Sequence, residues 1–204
     1  MAEPRGRSSR FSYYARLSAA ERRVYRKSDD IGVVPLPMPS ALVPMAKRLE
    51  SELAAGKRAK IEQAARELCL GITLSLGVPS VRVQVRSVRP SDHSGELHGL
   101  YTWEEGKAPV IEVWMRTAKN RRVVQFRTFL RTLLHEICHH LDFTLFGLTA
   151  TFHTTGFFRR ESSLMRQLAG KKERKARADA PAPEGQQLEL FESASPRRGP
   201  ARTR

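Results

Sequence analysis

"LLHEICHHLDF", residues 133–143, sets three histidines and two acids into an otherwise apolar run. Burying so many polar groups is unfavourable unless each finds a partner. The spacing supplies one. Residues four apart stack on one face of a helix, so His135 and His139 project together and can each offer an imidazole nitrogen to one ion. Glu136 sits one residue round, beside that ion. The pattern H-E-x-x-H reads as a zinc site with the glutamate as general base. Leu130, Leu134, Ile137, Leu141 and Leu145, at steps of 4, 3, 4 and 4, form a stripe towards the other side of the helix. They predict a long core-facing helix over about residues 123–148, held by its leucines, with its histidines facing a cleft. Metal bonds, and hydrogen bonds to the ligands, would then offset the burial.

Upstream of this helix, "VRVQVRSV" (81–88) alternates Val with polar residues, the period-two mark of a half-buried strand. Residues 97–103 and 110–115 predict two more strands joined by "EEGKAP". Further upstream, residues 41–77 carry Ile61, Ala64, Ala65, Leu68 and Ile72 at helical spacing and predict one or two amphipathic helices. The first forty residues are Arg- and Ser-rich and close on three prolines in "IGVVPLPMPS"; they read as a basic arm and linker. Downstream, "GLTAT" breaks the long helix, and "FHTTGFFRRESSLMRQLAG" predicts another, capped at Gly170. Residues 171–204 are polar and Pro-containing and read as a disordered tail. The expectation is an α+β domain over residues 41–170, a small three-stranded sheet packed on helices, between two basic extensions.

Composition narrows the function classes. The chain has 204 residues, 36 Lys+Arg against 21 Asp+Glu, and a formal charge of +15, which points to a polyanionic partner, DNA ahead of a membrane surface. Its two cysteines, Cys69 and Cys138, are too few for a disulfide framework or a four-cysteine ribbon. No segment resembles a signal peptide or a membrane span, so the expected location is the cytoplasm, at the nucleoid. Basic residues flank the histidine helix: Arg116, Lys119, Arg121, Arg122, Arg127 and Arg131 before it, and Arg159, Arg160, Arg166, Lys171, Lys172, Arg174, Lys175 and Arg177 after it. Such clusters bind phosphate without reading sequence.

A catalytic zinc takes three protein ligands and a water. His153, fourteen residues after His139, is the expected third ligand; a histidine capping the next helix is the alternative. Glu161, twenty-two residues after His139, is the rival ligand, or else accepts a hydrogen bond from one. Asp142 could orient a ligand imidazole. His140 could line the cleft, although a structural histidine is the simpler reading. Cys138 points away from the two histidines and reads as a buried thiol. With zinc bound, Glu136 would accept a proton from the attacking water, which makes amide hydrolysis the reaction class. An edge strand could align an extended substrate, and Tyr101 could serve the developing oxyanion or simply pack.

These residues resemble the SprT-like metallopeptidases, relatives of the Spartan proteases that degrade proteins crosslinked to DNA. The likeness rests on "HEICH" (135–139), on His153 and Phe157 in "HTTGF", and on the upstream strands with "GLY" and "VIEV". It implies a zincin-like fold, a zinc ion on His135, His139 and His153, and catalysis by Glu136. Many members have glycine after the third histidine, where this chain has Thr154, and many carry a C-terminal zinc ribbon, absent here. In the tail, "QLELF" (187–191) is similar to the bacterial sliding-clamp-binding peptide, with Leu188, Leu190 and Phe191 as groove anchors and Gln187 at the rim. The combined expectation is a zinc endopeptidase acting on proteins at DNA. The alternatives are a peptidase that cleaves one repressor, and a DNA- and clamp-binding adaptor with a structural zinc.

Overall fold

The computed structural model describes residues 11–169, apart from 94 and 105. Five α-helices and a three-stranded sheet make a mixed α+β domain among these residues. Gly170, the basic residues Lys171, Lys172, Arg174, Lys175 and Arg177, and the peptide Gln187, Leu188, Leu190 and Phe191 lie outside them.

The sheet is built on its middle strand. β5 (Val110–Arg116) pairs parallel with β1 (Arg82–Val88) on one side and antiparallel with β4 (Gly99–Thr102) on the other. β4 and β5 are the two strands the sequence joins through "EEGKAP". A two-stranded ribbon, β2 (Ser91–Asp92) and β3 (Gly95–Glu96), lies between β1 and β4 in the chain.

Helices α2 (Pro39–Ala55) and α3 (Arg58–Ser75) answer the apolar pattern of residues 41–77. Pro39 opens α2, where its missing N–H costs nothing, and Gly56, left-handed with φ 71°, ends it. Leu42, Ala46, Leu49 and Leu53 of α2 join Ile61, Ala64, Ala65, Leu68 and Ile72 of α3 in the core. The basic side of α3 ties that helix to the sheet: Arg58 donates to the Val85 carbonyl at 3.0 Å and Arg66 to that of Val83 at 2.8 Å.

Helix α4 (Phe126–Thr144) runs between the sheet and α5 (Thr155–Ala169). Leu130, Leu134, Ile137 and Leu141 are fully buried as the stripe predicts, and Leu145 packs against the core from its margin. Every residue from 132 to 142 is buried, so the helix is enclosed on its polar face as well.

The reading of residues 1–40 as an arm and linker is corrected over 11–40. A 3-10 helix (Ser12–Arg16) and α1 (Ala19–Asp30) form there and pack on the domain. Tyr25 is buried, Tyr13 and Tyr14 meet it edge-on, and Phe152 lies against it. Those aromatic rings bury enough apolar surface to order a segment in which Arg16, Arg23 and Arg26 are exposed.

Candidate metal centre

Helix α4 presents His135 and His139 one turn apart, and the loop before α5 returns His153 to face them. His153 Nε2 lies 3.0 Å from His135 Nε2 and 3.2 Å from His139 Nε2. Ligand nitrogens about 2.0–2.1 Å from a tetrahedral zinc would be about 3.3 Å apart, so this triangle has metal-site dimensions. The three histidines form a group able to hold a metal ion.

Their outer nitrogens say which protons they carry. His135 Nδ1 lies 3.0 Å from Glu161 Oε2, and a carboxylate only accepts, so Nδ1 carries a proton and, in the neutral imidazole, Nε2 carries a lone pair. Thr151 donates its hydroxyl to Asp142 Oδ2 at 2.8 Å and therefore accepts from His139 Nδ1 at 2.7 Å. His139 Nε2 also carries a lone pair. Both lone pairs converge on one nitrogen of His153, which holds at most one proton and can satisfy only one of them. A cation satisfies all three. Burial, then the neighbouring imidazole of His135, lowers His153 to about 3, and burial holds His139 well below the usual imidazole range, so both stay neutral as ligands must.

Glu161 therefore braces His135 and is itself held by an ion pair with Arg131. It approaches the triangle through an Nδ1 atom, which is the outer-partner role of the two the sequence left open. Asp142 orients His139 as expected, but by way of Thr151. Burial raises Asp142 to about 6, while the Arg160 guanidinium 2.7 Å away opposes that rise most.

Glu136 is buried beside the triangle. Its Oε1 has no hydrogen-bond partner among the described residues, and the backbone N–H of Tyr101 donates to the carboxylate. Burial pushes its pKa up to about 7, with the His135 imidazole pulling downward and Glu161 adding to the rise. This closeness depends on Gly99: a Cβ there would overlap the Glu136 carboxylate and meet Thr132 Cγ2 at 2.8 Å. β4 is an edge strand, so the same backbone that holds Glu136 borders the site.

Of the two roles the sequence left open for each of His140 and Tyr101, the contacts are those of structural residues. His140 is fully buried and its Nε2 meets the Pro79 carbonyl at 2.7 Å, which leaves Nδ1 to accept the Tyr101 hydroxyl at 3.2 Å. Both polar tips are spent on each other and on the backbone, so neither side chain offers a proton to the site. The Tyr101 ring contributes by packing. It lies near-parallel to the rings of His139 and Phe143, and Phe143 stacks on Trp103, which is 40% exposed.

Of the basic residues, Lys119, Arg121 and Arg122 are exposed on the turn between β5 and α4, where Arg116 donates to the Arg121 carbonyl at 3.0 Å. Arg127 donates to the Ala169 carbonyl, and Arg159 and Arg166 are exposed on α5. Arg160 is corrected: it is fully buried, bonded to Asp142, Ser28 and Ile31, and lies over the rings of Phe146 and Phe157. Cys138 and Cys69 are buried free thiols whose pKa values burial raises. Gly99 and Thr151 escaped the sequence reading. Gly99 stands in the "GLY" already noted, but its partner lies 37 residues away; Thr151 sits in a stretch that reads only as a helix break. No helix among the described residues is long and apolar enough to cross a membrane. No family model matches the sequence, and no curated protein or solved structure matches it either.

Proposed function

We propose that the chain is a zinc-dependent endopeptidase of SprT-like, zincin-like character, acting on proteins at or crosslinked to DNA. The observation that carries this reading is the triangle of three Nε2 atoms with a buried, half-partnered Glu136 beside it. A zinc ion on His135, His139 and His153 would polarise a peptide carbonyl and acidify water. Glu136 Oε1 is the atom that takes the water's proton and passes it to the leaving amine. A pKa near 7 suits both halves of that transfer. The edge of β4 runs beside Glu136 and can align an extended peptide by main-chain hydrogen bonds. The ring stack ending at Trp103 offers apolar surface next to it.

Three ligands favour an enzyme over the adaptor, because structural zinc sites are closed by four protein ligands. The DNA part of the proposal rests on the +15 charge and the exposed cations between β5 and α4. Recruitment by a sliding clamp rests on "QLELF" alone. The test is a cleavage assay on DNA-bound protein substrates, with and without DNA, comparing the native chain with Glu136→Gln. The variant is expected to retain zinc and lose at least about a hundredfold in rate. Equal cleavage by both forms would overturn the reading. Cleavage of a single repressor without DNA stimulation would favour the regulatory peptidase instead. Changing Leu190 and Phe191 to alanine is expected to abolish clamp pull-down.

A further inference from the structure

His139 and His153 are both held from the N-terminal segment. Arg160, fully buried on α5, donates through Nη1 to the carbonyls of Ser28 at 2.7 Å and Ile31 at 2.5 Å. Its Nη2 donates to Ser28 Oγ at 3.0 Å and to Asp142 Oδ1 at 2.7 Å. Asp142 Oδ2 accepts from Thr151, and Thr151 accepts from His139 Nδ1. One unbroken line of hydrogen bonds thus joins the end of α1 to a metal-facing imidazole.

A second line reaches the third histidine. The Tyr13 hydroxyl donates to the His153 carbonyl at 2.9 Å. Asp29 accepts from the Gly156 N–H at 2.9 Å, and Ser28 Oγ lies 3.4 Å from Thr154 Oγ1. Gly156 is needed for this approach, since a Cβ would overlap the carbonyls of Ser28 and Asp29. The loop that carries His153 is therefore pinned at the histidine and just after it by residues more than 120 positions earlier in the chain.

We propose that the N-terminal segment sets the metal affinity of the three-histidine site, acting through Arg160, Asp142 and Thr151 on His139 and through Tyr13 on His153. This rests on the reading of the triangle as a metal site. The physical ground is that Asp142, by accepting the Thr151 hydroxyl hydrogen, turns the Thr151 lone pairs towards His139 Nδ1. Asp142 stays an acceptor in a buried place because Arg160 is beside it, and Arg160 is aimed by the carbonyls at the end of α1. Undocking that segment would free the Arg160 fork, the Thr151 hydroxyl and the His153 loop together. Thr151, Asp142, Arg160 and Tyr13 are positioning residues, and their effect is on occupancy of the site.

Zinc affinity of the full chain, measured by competition with a chromophoric chelator, tests this without any cleavage assay. Thr151→Val keeps the shape and removes the hydroxyl; Thr151→Ser restores it. Thr151→Val is expected to bind zinc about 10- to 100-fold more weakly and to alter the visible spectrum of the cobalt(II)-loaded protein, with Thr151→Ser close to the native chain in both. The double variant Ser28→Ala, Tyr13→Phe lies far from the metal in sequence and is expected to weaken zinc in the same direction by a smaller factor. Native affinity in Thr151→Val, or in the double variant, would overturn the proposal, as would equal weakening in Thr151→Ser and Thr151→Val. Failure of the native chain to take up zinc would sink the metal reading itself, and is seen before any variant is compared.

Discussion

A carboxylate can be kept buried with one oxygen unpartnered only where the backbone around it leaves room, and at Glu136 that room is Gly99. Gly99→Ala would push a methyl into the carboxylate. The expected outcome is a folded protein that has lost about 1–3 kcal/mol of stability and has its Glu136 side chain displaced, with zinc binding intact. Thermal melting and zinc titration check the first and last parts; a cleavage assay slowed as severely as by Glu136→Gln checks the displacement. At the same scale, Tyr101→Phe removes the hydroxyl that His140 Nδ1 accepts and leaves the ring stack in place. It is expected to cost about 1 kcal/mol in stability and to leave kcat unchanged, which a direct oxyanion role for Tyr101 would not allow.

Among the elements, α1 is the one whose existence the composition conceals. Its arginines suggest a solvated arm, yet "SAAE" at residues 18–21 is a capping box: Ser18 Oγ accepts from the Glu21 N–H at 3.2 Å and Glu21 accepts from the Ser18 N–H at 2.8 Å. That mark stands in the sequence, whereas the arm reading rests on the Arg- and Ser-rich composition and the three prolines that follow. Ser18→Ala is expected to destabilise by about 1 kcal/mol, lowering the melting temperature by roughly 2–4 °C. An unchanged melting temperature would mean α1 contributes nothing to the cooperative unit. β1, α3 and α4 were legible because each shows a period, two or 3.6, against its own core face, and β5 because it is a short run of β-branched and aromatic residues. The predicted 97–103 strand shrinks to four residues, since only Gly99–Thr102 lies within pairing range of β5.

For the whole molecule, a metal bound at the three histidines would act as a ligand of the folded state. If zinc is held at a thousand times its dissociation constant, binding adds about 4 kcal/mol to stability, so stripping it with a chelator is expected to lower the melting temperature by roughly 10 °C. A chain without a metal site would melt at one temperature either way. If the chain binds DNA through its net charge, the affinity is expected to fall steeply between 50 and 200 mM salt, by about a thousandfold if six phosphates are neutralised; a flat response would exclude phosphate contacts as its basis. The amino-acid order alone determined the helix of His135, Glu136 and His139 and the facing of its histidines, because an i, i+4 relation is a property of the helix and needs no other part of the chain. Only the tertiary structure decided that His153 completes the triangle while Glu161 braces His135, that Tyr101 and His140 spend their polar atoms on each other, and that Arg160 is a buried tie to α1 rather than a surface cation. Each of those outcomes depends on pairs from 18 to 132 positions apart, and a contact at such separation is set by how elements pack, which local periodicity does not encode.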